Sequence, residues 1–247
     1  MNSILKSIQS KAAAGKKMLS VLIDPDKIKS HEDLYFSLEK IEEAQADYIF
    51  YGGSLLVAGQ FEKQLEQIKK ISKIPIVIFP GSAAQISALA DGILFLSLIS
   101  GRNPELLIGS QVNAAPIIKK MGLEPLATGY LLVDCGNVTT AIYMSGSLPI
   151  PSNKSDIASA TAIAGEMLGM KLIYLDGGSG AMNPINPEMI RSVKASINIP
   201  LIVGGGINTA EKAANAYAAG ADMVVVGNGF EKKSSLLEEI VAVTKNI

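Results

Sequence analysis

Short apolar runs alternate with helical patterns of apolar residues along the chain. The runs end in glycine, proline or a polar residue, which is typical of buried strands. Between them, apolar residues recur every three or four positions, as in the helix predicted at 32–44 with Leu34, Leu38 and Ile41. We predict eight strands, at 18–24, 47–51, 75–79, 92–98, within 125–133, and at 171–176, 200–204 and 223–226.

Most of the connecting segments predict helices. Two connections depart from this pattern: 82–90 is short for a crossover helix, and 134–155 is rich in Gly, Ser, Pro and Thr, which is typical of a functional or mobile loop. Pro116 should bend or interrupt its helix. Besides an N-terminal amphipathic helix with Ile4, Leu5 and Ile8 on one side, we predict helices at 32–44, 61–71, 104–121, 156–168, 187–195, 209–219 and 234–245.

The alternation of strands and helices is typical of a parallel sheet. Eight such units in 247 residues have the size of a (β/α)8 TIM barrel. A doubly wound open sheet is the alternative, but polar residues follow strands along the whole chain rather than at one switch point. No segment resembles a linker, so we predict one barrel domain over 1–247, irregular around its third helix, with the helix in 1–16 covering the barrel.

Composition narrows the classes of function. The chain is 48% hydrophobic with a net charge of −1, which favours a folded domain and gives no electrostatic reason to expect nucleic acid. No apolar run is long enough to span a bilayer, and the N-terminus lacks the apolar core of a signal peptide, so we expect a cytoplasmic protein. Cys135 is the only cysteine of the sequence, which excludes an intrachain disulfide, and we interpret it as a buried thiol. His31 is the only histidine, and we interpret it as a surface residue.

Three consecutive units end in glycine-rich loops. The sequences are KLIYLDGGSGA at 171–181, LIVGGGIN at 201–208 and MVVVGNG at 223–229. In TIM barrels the loops after strands seven and eight often hold phosphate, because glycine lets backbone N–H groups approach an anion closely. One glycine triplet would be equally typical of a tight turn. Three in succession favour a phosphate site.

The opposite side of the barrel mouth should carry a second anion site. Asp24 follows the first strand and Ser54 follows the second, so we expect the two side chains to be neighbours. A carboxylate and a hydroxyl with open positions around them suit Mg²⁺, although Asp-Pro-Asp is also an ordinary turn sequence. Lys27 and Arg102 are candidates to pair with an anionic group, or are surface charges.

Six motifs in chain order resemble a known family. Together they resemble the geranylgeranylglyceryl phosphate synthases, which are prenyltransferases of ether-lipid synthesis with close relatives that use a heptaprenyl donor. The resemblance runs from about residue 20 to 230 and covers nearly the whole predicted barrel. The motifs are LIDPDK at 22–27, YGGS at 51–54, FPGS at 79–82, YLDGGSGA at 174–181, VGGGI at 203–207 and VVVGN at 224–228.

This resemblance implies a reaction and roles for its residues. A polyprenyl group, for which the motifs favour geranylgeranyl, would be transferred from its diphosphate to the sn-3 hydroxyl of sn-glycerol 1-phosphate. Asp24 and Ser54 would hold Mg²⁺. Asp176, where the family often has glutamate, would orient or deprotonate that hydroxyl, and Tyr174 would hydrogen-bond the acceptor. The resemblance assigns acceptor binding to Tyr174, Leu175, Asp176, Gly177, Gly178, Ser179, Gly180, Gly205, Gly206, Gly227 and Asn228.

The apolar donor tail requires a groove, and alternatives to this function stay open. We expect Gly92–Leu98, Pro125–Val133 with Tyr130, and the 134–150 loop to line that groove. The alternatives are a heptaprenyl donor, a phosphate-binding barrel of the sugar-phosphate isomerase or aldolase type, and a phosphometabolite-binding protein without catalysis. We further expect a homo-oligomer and a transient membrane contact during product release.

Overall fold

The computed structural model describes residues 3–57, 60–227 and 235–244. Its strands form a closed parallel barrel in which each strand pairs with its sequence neighbours and the last pairs with the first. This confirms the predicted TIM-barrel fold. The strands are β1 Met18–Ile23, β2 Tyr48–Tyr51, β3 Ile76–Ile78, β4 Gly92–Leu98, β5 Glu124–Leu132, β6 Leu172–Asp176, β7 Leu201–Gly204 and β8 Met223–Val226.

Helices surround the barrel and begin at sequence-encoded caps. The Ser30 side chain accepts a hydrogen bond from the Asp33 amide, and Thr209 does the same for Lys212. Within the described residues, none of the helices has the length and apolar composition needed to cross a membrane. The helices are α1 Ile4–Ala13, α2 His31–Glu43, α3 Phe61–Ile71, α4 Ser110–Met121, α5 Thr140–Ser145, α6 Ser155–Met167, α7 Pro187–Ser196, α8 Ala210–Ala218 and α9 Leu236–Thr244.

Three connections decide the shape of the barrel mouth. No helix forms between β3 and β4, where every residue is described, as the short segment 82–90 indicated. The predicted loop 134–155 instead contains α5, which a left-handed Gly146 ends and whose few residues are too short to show a helical pattern. The helix predicted at 104–121 is divided, because a π-helical turn, Glu105–Gly109, precedes α4.

Side chains of each strand alternate between the barrel interior and the helix layer. On β6, Leu172 and Tyr174 belong to the interior cluster, whereas Ile173 and Leu175 pack with the helices. Asp176, the next interior position, lines the cavity described below. The alternation therefore directs the two polar side chains of this strand toward the same interior space.

Helix α1 closes the N-terminal end of the barrel. Its buried residues Ile4 and Ile8 pack into the interior cluster beside Met18, the first residue of β1. Glu124, at the start of β5, accepts hydrogen bonds from the Ile4 amide at 2.8 Å and the Leu5 amide at 3.1 Å. A carboxylate at these unpaired amides stabilises the helix N-terminus. The described structure therefore places the open mouth at the C-terminal ends of the strands.

Candidate active site

A cavity of about 440 Å³ lies at the C-terminal ends of the strands. This volume is within the usual range for small-molecule sites. Polar residues line one part of it, among them Asp24 after β1, Ser54 after β2, and Asp176 and Ser179 at the end of β6. Apolar residues of β4, α4 and α5 line another part. The cavity can therefore receive a ligand with charged groups at one end and an apolar tail at the other.

Asp176 is a buried carboxylate held from two sides. Its Oδ1 accepts a hydrogen bond from the Gly178 amide at 2.8 Å, and its Oδ2 accepts one from the Tyr130 hydroxyl at 2.5 Å. The register of β5 and β6 places Tyr130 opposite Tyr174, so the inward-facing Tyr130 side chain reaches Asp176 from the neighbouring strand. These contacts fix the orientation of the carboxylate.

The buried environment changes the pKa of Asp176 and of the two tyrosines beside it. Burial raises the pKa of Asp176, and the hydrogen bonds from Tyr130 and Gly178 oppose that rise because they stabilise the ionised form. Burial, followed by the negative charge of Asp176, raises the pKa of Tyr130 and Tyr174 well above the ordinary value. Both phenols therefore stay protonated and can donate. A carboxylate with a raised pKa is suited to accept a proton near neutral pH.

Tyr174 belongs to an aromatic cluster in the upper barrel interior. Its ring centroid lies 5.3 Å from that of Phe79 and 5.5 Å from that of Tyr130. A Cβ added to Gly204 would lie 2.5 Å from the Tyr174 hydroxyl, so this hydroxyl reaches the base of the β7 loop. Tyr174 thus presents a phenolic donor directly below the glycine loops.

The loops after β6 and β7 pack backbone to backbone. Gly205 has a φ of +87°, and a Cβ there would lie 2.6 Å from the Gly177 nitrogen. Only glycine fits at this position. Gly206 lies beside it, and Gly180 and Gly227 have open space around them. Asn228 lies outside the described residues. The predicted phosphate loops after β6 and β7 are therefore adjacent, with β8 ending at the next place around the barrel.

Two predicted site residues present different faces to the cavity. Ser179 lines the cavity with an exposed hydroxyl, whereas the Leu175 side chain packs in the helix layer and leaves only its backbone near the site. Cys135 is buried against Gly177, and burial raises the pKa of its thiol to about 12. This thiol stays neutral and is not an activated nucleophile. His31, on α2, is exposed.

Asp24 and Ser54 lie on neighbouring strand ends, as expected. Ile23 pairs with Tyr51, so the residues that follow them are side by side, and a Cβ on Gly53 would lie 3.0 Å from Asp24 Oδ1. Both Asp24 and Ser54 line the cavity. A carboxylate and a hydroxyl open to a cavity fit Mg²⁺, which keeps several waters. Among the described residues, no three His, Cys, Asp or Glu side chains are grouped so that they could hold a metal ion. Water and substrate would therefore supply the other ligands.

Gln85 positions the loop that carries Ser54. It comes from the irregular segment between β3 and β4 and is buried. Its Nε2 donates to the Gly53 carbonyl at 2.7 Å, and its Oε1 accepts from the Gly53 amide at 3.2 Å. Sequence reasoning missed this residue, because nothing in the short segment 82–90 marks one glutamine as a side chain that holds a neighbouring loop.

Lys27 joins the two polar sides of the cavity. Its Nζ lies 3.3 Å from Asp24 Oδ2 and donates to Ser179 Oγ at 3.1 Å. It sits on a short 3₁₀ turn, Pro25–Lys27, directly after β1. The other predicted cation, Arg102, instead donates to the carbonyl of Gly101 at 2.7 Å in its own loop. Lys27 is therefore the candidate cation that the structure brings into the site.

The apolar part of the cavity follows the gap beside β3. Strand β3 pairs with only the first two residues of β4, which leaves the rest of β4 uncovered on that side. Residues 93–96 of β4 line the cavity, together with Ala114 and Ile118 of α4 and Met144 of α5. Within 125–133, only Tyr130 contributes to the lining. The predicted groove residues on β4 and in 134–150 are thus present, while α4 was not foreseen.

A family model described as the PcrB family matches residues 14–244. The chain belongs to the PcrB family. Two relatives are named geranylgeranylglyceryl phosphate synthase. The protein of Chitinophaga pinensis is 51% identical over 239 residues, which cover 97% of this chain and 94% of the relative. That of Thermococcus gammatolerans is 43% identical over 222 residues, which cover 90% and 87%. These findings confirm the family resemblance in the six motifs.

Solved structures agree with this assignment. The (S)-3-O-geranylgeranylglyceryl phosphate synthase of Thermoplasma acidophilum, in complex with its substrate sn-glycerol-1-phosphate, superposes with a TM-score of 0.94 at 33% identity over 100% of both chains. The N-acetylmannosamine-6-phosphate 2-epimerase of Clostridium perfringens has a TM-score of 0.58 at 14% identity and covers 97% of this chain and 96% of its own. The latter similarity shows a shared fold alone.

Proposed function

We propose that this chain is a prenyltransferase that joins a geranylgeranyl group to the sn-3 hydroxyl of sn-glycerol 1-phosphate and releases diphosphate. The observation that carries the proposal is a cavity with Asp176 and Ser179 from the end of β6 on one side, Asp24 and Ser54 on another, and an apolar extension. One relative named geranylgeranylglyceryl phosphate synthase is 51% identical over 97% of this chain, and one solved relative is in complex with sn-glycerol-1-phosphate.

The acceptor would bind on the loops after β6, β7 and β8. Backbone amides of Gly178–Gly180, Gly205 and Gly206 would surround its phosphate. By its motif, Gly227-Asn228 would complete this cup. The glycerol part would then extend toward Tyr174 and Asp176, which lie deeper in the barrel. The phosphate anchors the acceptor at the rim, so its free hydroxyl is directed at the buried carboxylate.

The donor diphosphate would bind on the opposite side of the mouth. Asp24 and Ser54 would hold Mg²⁺, which when bound neutralises charge that develops on the departing diphosphate. Gln85 keeps the Ser54 loop in place through both polar atoms of the Gly53 peptide. The tail would run along β4 and α4, where the cavity is apolar. Magnesium binding is thus proposed from the chemistry and position of the Asp24 and Ser54 side chains.

The chemical step needs one proton acceptor and one aligned hydroxyl. Asp176 would take the proton from the sn-3 hydroxyl, whose oxygen forms a bond to C1 of the donor as the bond from C1 to the diphosphate oxygen breaks. Tyr130 would hold the carboxylate and Tyr174 would hydrogen-bond the acceptor. Fixing both substrates in one cavity makes the attack effectively unimolecular, which contributes much of the rate.

The test is product formation from defined substrates. We expect the purified protein, given Mg²⁺, sn-glycerol 1-phosphate and radiolabelled geranylgeranyl diphosphate, to form a phosphorylated ether lipid that partitions into organic solvent. Heptaprenyl diphosphate in a parallel reaction tests the alternative donor, and sn-glycerol 3-phosphate tests the stereochemistry of the acceptor. Faster product formation from the heptaprenyl donor would replace the geranylgeranyl assignment. Absence of product with both donors would contradict the proposed function.

Three expectations stay predictions from the sequence. They are homo-oligomerisation, a cytoplasmic location and a transient membrane contact. Val138, Tyr143 and Leu148 on and around α5 are exposed apolar side chains near the cavity, which supports the membrane contact during product release. Flotation with lipid vesicles, compared between the wild type and Leu148→Ser, would test it: equal flotation of the two proteins would count against this surface.

A further inference from the structure

One ammonium group lies between the proposed metal site and the proposed phosphate site. Lys27 Nζ contacts Asp24 Oδ2 on the proposed metal side and Ser179 Oγ on the proposed phosphate side. The Lys27 side chain is about one-third exposed, at 37%, so its flexible stem can move. The ammonium therefore occupies a bridging position that ligands on either side would disturb.

A metal ion held by Asp24 would compete with Lys27 for the same carboxylate. The ammonium lies 3.3 Å from Asp24, and a divalent cation bound to that carboxylate would repel it. A phosphate bound at the loop of Ser179 would attract the same ammonium. Each ligand would therefore favour the movement that the other requires. The metal would displace the Lys27 ammonium from Asp24, and the phosphate would bind it.

We propose that Lys27 is an acceptor-binding residue that couples the two halves of the site. In the loaded site its ammonium leaves Asp24 and binds the acceptor phosphate beside Ser179. Metal binding and acceptor binding then strengthen each other, by the same factor in both directions. This inference rests on the proposed function for the identity of both ligands, and it requires neither the prenyl donor nor turnover.

A simpler role for Lys27 makes different predictions. If its ion pair with Asp24 only stabilised the 3₁₀ turn, a substitution would lower the melting temperature and leave the interaction between metal and acceptor unchanged. Asp24 already accepts a hydrogen bond from the Asp26 amide, so the turn has a second support. The coupling between ligands, rather than the stability, therefore separates the two explanations.

The experiment is a calorimetric binding cycle without any prenyl donor. The affinity for sn-glycerol 1-phosphate is measured with and without Mg²⁺, and the affinity for Mg²⁺ with and without sn-glycerol 1-phosphate. The proteins are the wild type, Lys27→Met and Lys27→Arg, with Lys29→Met as matched control. Lys29 is an exposed lysine two residues away, and its replacement removes the same net charge.

We expect Mg²⁺ to tighten acceptor binding about fivefold or more in the wild type and in Lys29→Met. In Lys27→Met this factor should fall to about twofold or less, while Mg²⁺ alone binds more tightly than in the control, because its competitor for Asp24 is gone. Lys27→Arg keeps the charge and should retain part of the coupling.

Equal coupling in Lys27→Met and the wild type, or no coupling in the wild type, would overturn the inference. A wild type that binds no sn-glycerol 1-phosphate would overturn both the inference and the proposed acceptor. Intact coupling in a protein that forms no prenyl product would leave the role of Lys27 standing and contradict only the proposed reaction. Circular dichroism of each variant shows whether the barrel has folded.

Discussion

At the scale of single residues, the site combines burial with defined hydrogen bonds. Asp176 is 6% exposed, yet its two oxygens are oriented by Gly178 and by Tyr130. A carboxylate in such a place is less stable when ionised than it would be in water, and it is therefore a better proton acceptor. The proposed role of Asp176 as a proton acceptor would explain why the protein keeps a carboxylate whose burial raises its pKa.

Asp176→Asn should stabilise the protein and inactivate it. Burial disfavours the ionised form of Asp176, whereas an uncharged amide can still accept from Gly178 and contact Tyr130. We expect turnover to fall about 100-fold or more, and the melting temperature to rise by about 2–4 °C for each kcal/mol relieved. Because the pKa of Asp176 is raised in the folded state, its destabilising effect fades as the pH falls through that pKa toward the unfolded value.

The gain in melting temperature should therefore shrink between pH 7 and about pH 4. Thermal unfolding of both proteins across this range measures it, with turnover at pH 7 as the second readout. A variant that is active, or whose gain grows as the pH falls, would contradict the assignment of Asp176 as a buried base.

Tyr130→Phe should move the acidic limb of the pH–rate profile to higher pH. The Tyr130 hydroxyl stabilises the ionised form of Asp176, so its removal raises the pKa of the carboxylate further. The profile of kcat/KM against pH measures this pKa in the free enzyme. Tyr35→Phe, which alters an exposed tyrosine of α2, is the control. An acidic limb that stays in place in Tyr130→Phe would show that this hydrogen bond does not tune the base.

At the scale of elements, the irregular connection after β3 has two consequences. The absence of a helix leaves β4 uncovered beside the apolar cavity, and the same segment supplies Gln85 to the Ser54 loop. The strands, the glycine loops and the irregular connection after β3 could all be predicted, because each is encoded in neighbouring residues. Helix α5 was not predicted, since Thr140–Ser145 is too short for a periodic pattern.

Contacts between distant residues were the part that local patterns could not predict. Gln85 and Gly53 are 32 positions apart, Tyr130 and Asp176 are 46 apart, and Lys27 and Ser179 are 152 apart. Closure of the barrel brings each pair together. Adjacent strand ends could be expected to meet, as for Asp24 and Ser54, but which side chain fills the space between them depends on packing.

Gln85→Leu should weaken the proposed metal side and spare the acceptor side. The variant leaves the Gly53 amide and carbonyl without partners, so the Ser54 loop loses its position. Loss of such a supporting contact typically lowers metal affinity about 10–100-fold. Calorimetry with Mg²⁺ measures this, and sn-glycerol 1-phosphate binding without metal should stay within about twofold of the wild type. An unchanged Mg²⁺ affinity would show that Gln85 supports the fold alone.

At the scale of the molecule, the two ends of the barrel serve different purposes. The C-terminal ends carry the candidate site, whereas acidic residues at the N-terminal ends support the fold. Asp47 accepts from the Leu19 amide and Lys11, and Asp222 accepts from the Leu201 amide and Lys194. Glu124 fixes α1 over the same end. Substitutions there should change stability and leave catalysis unaltered.

Glu124→Ala tests this division of the barrel. Removal of the carboxylate leaves the amides of Ile4 and Leu5 without their partner, so we expect the free energy of unfolding to fall by about 1–2 kcal/mol. Because the cavity is at the other end, kcat/KM at 25 °C should stay within about twofold of the wild type. Urea unfolding gives the first quantity and initial rates give the second. A large loss of kcat/KM in a folded variant would show that the two ends are coupled.

In the proposed site, acceptor binding and donor activation occupy opposite sides of one cavity. Asp24→Asn separates them most directly, because Asn keeps the shape of the side chain and removes the charge that would hold Mg²⁺. We predict that geranylgeranyl transfer falls about 100-fold or more, while metal-free sn-glycerol 1-phosphate binding stays at least as tight as in the wild type. Near wild-type transfer by Asp24→Asn, or loss of both transfer and acceptor binding in a folded variant, would contradict this division of the site.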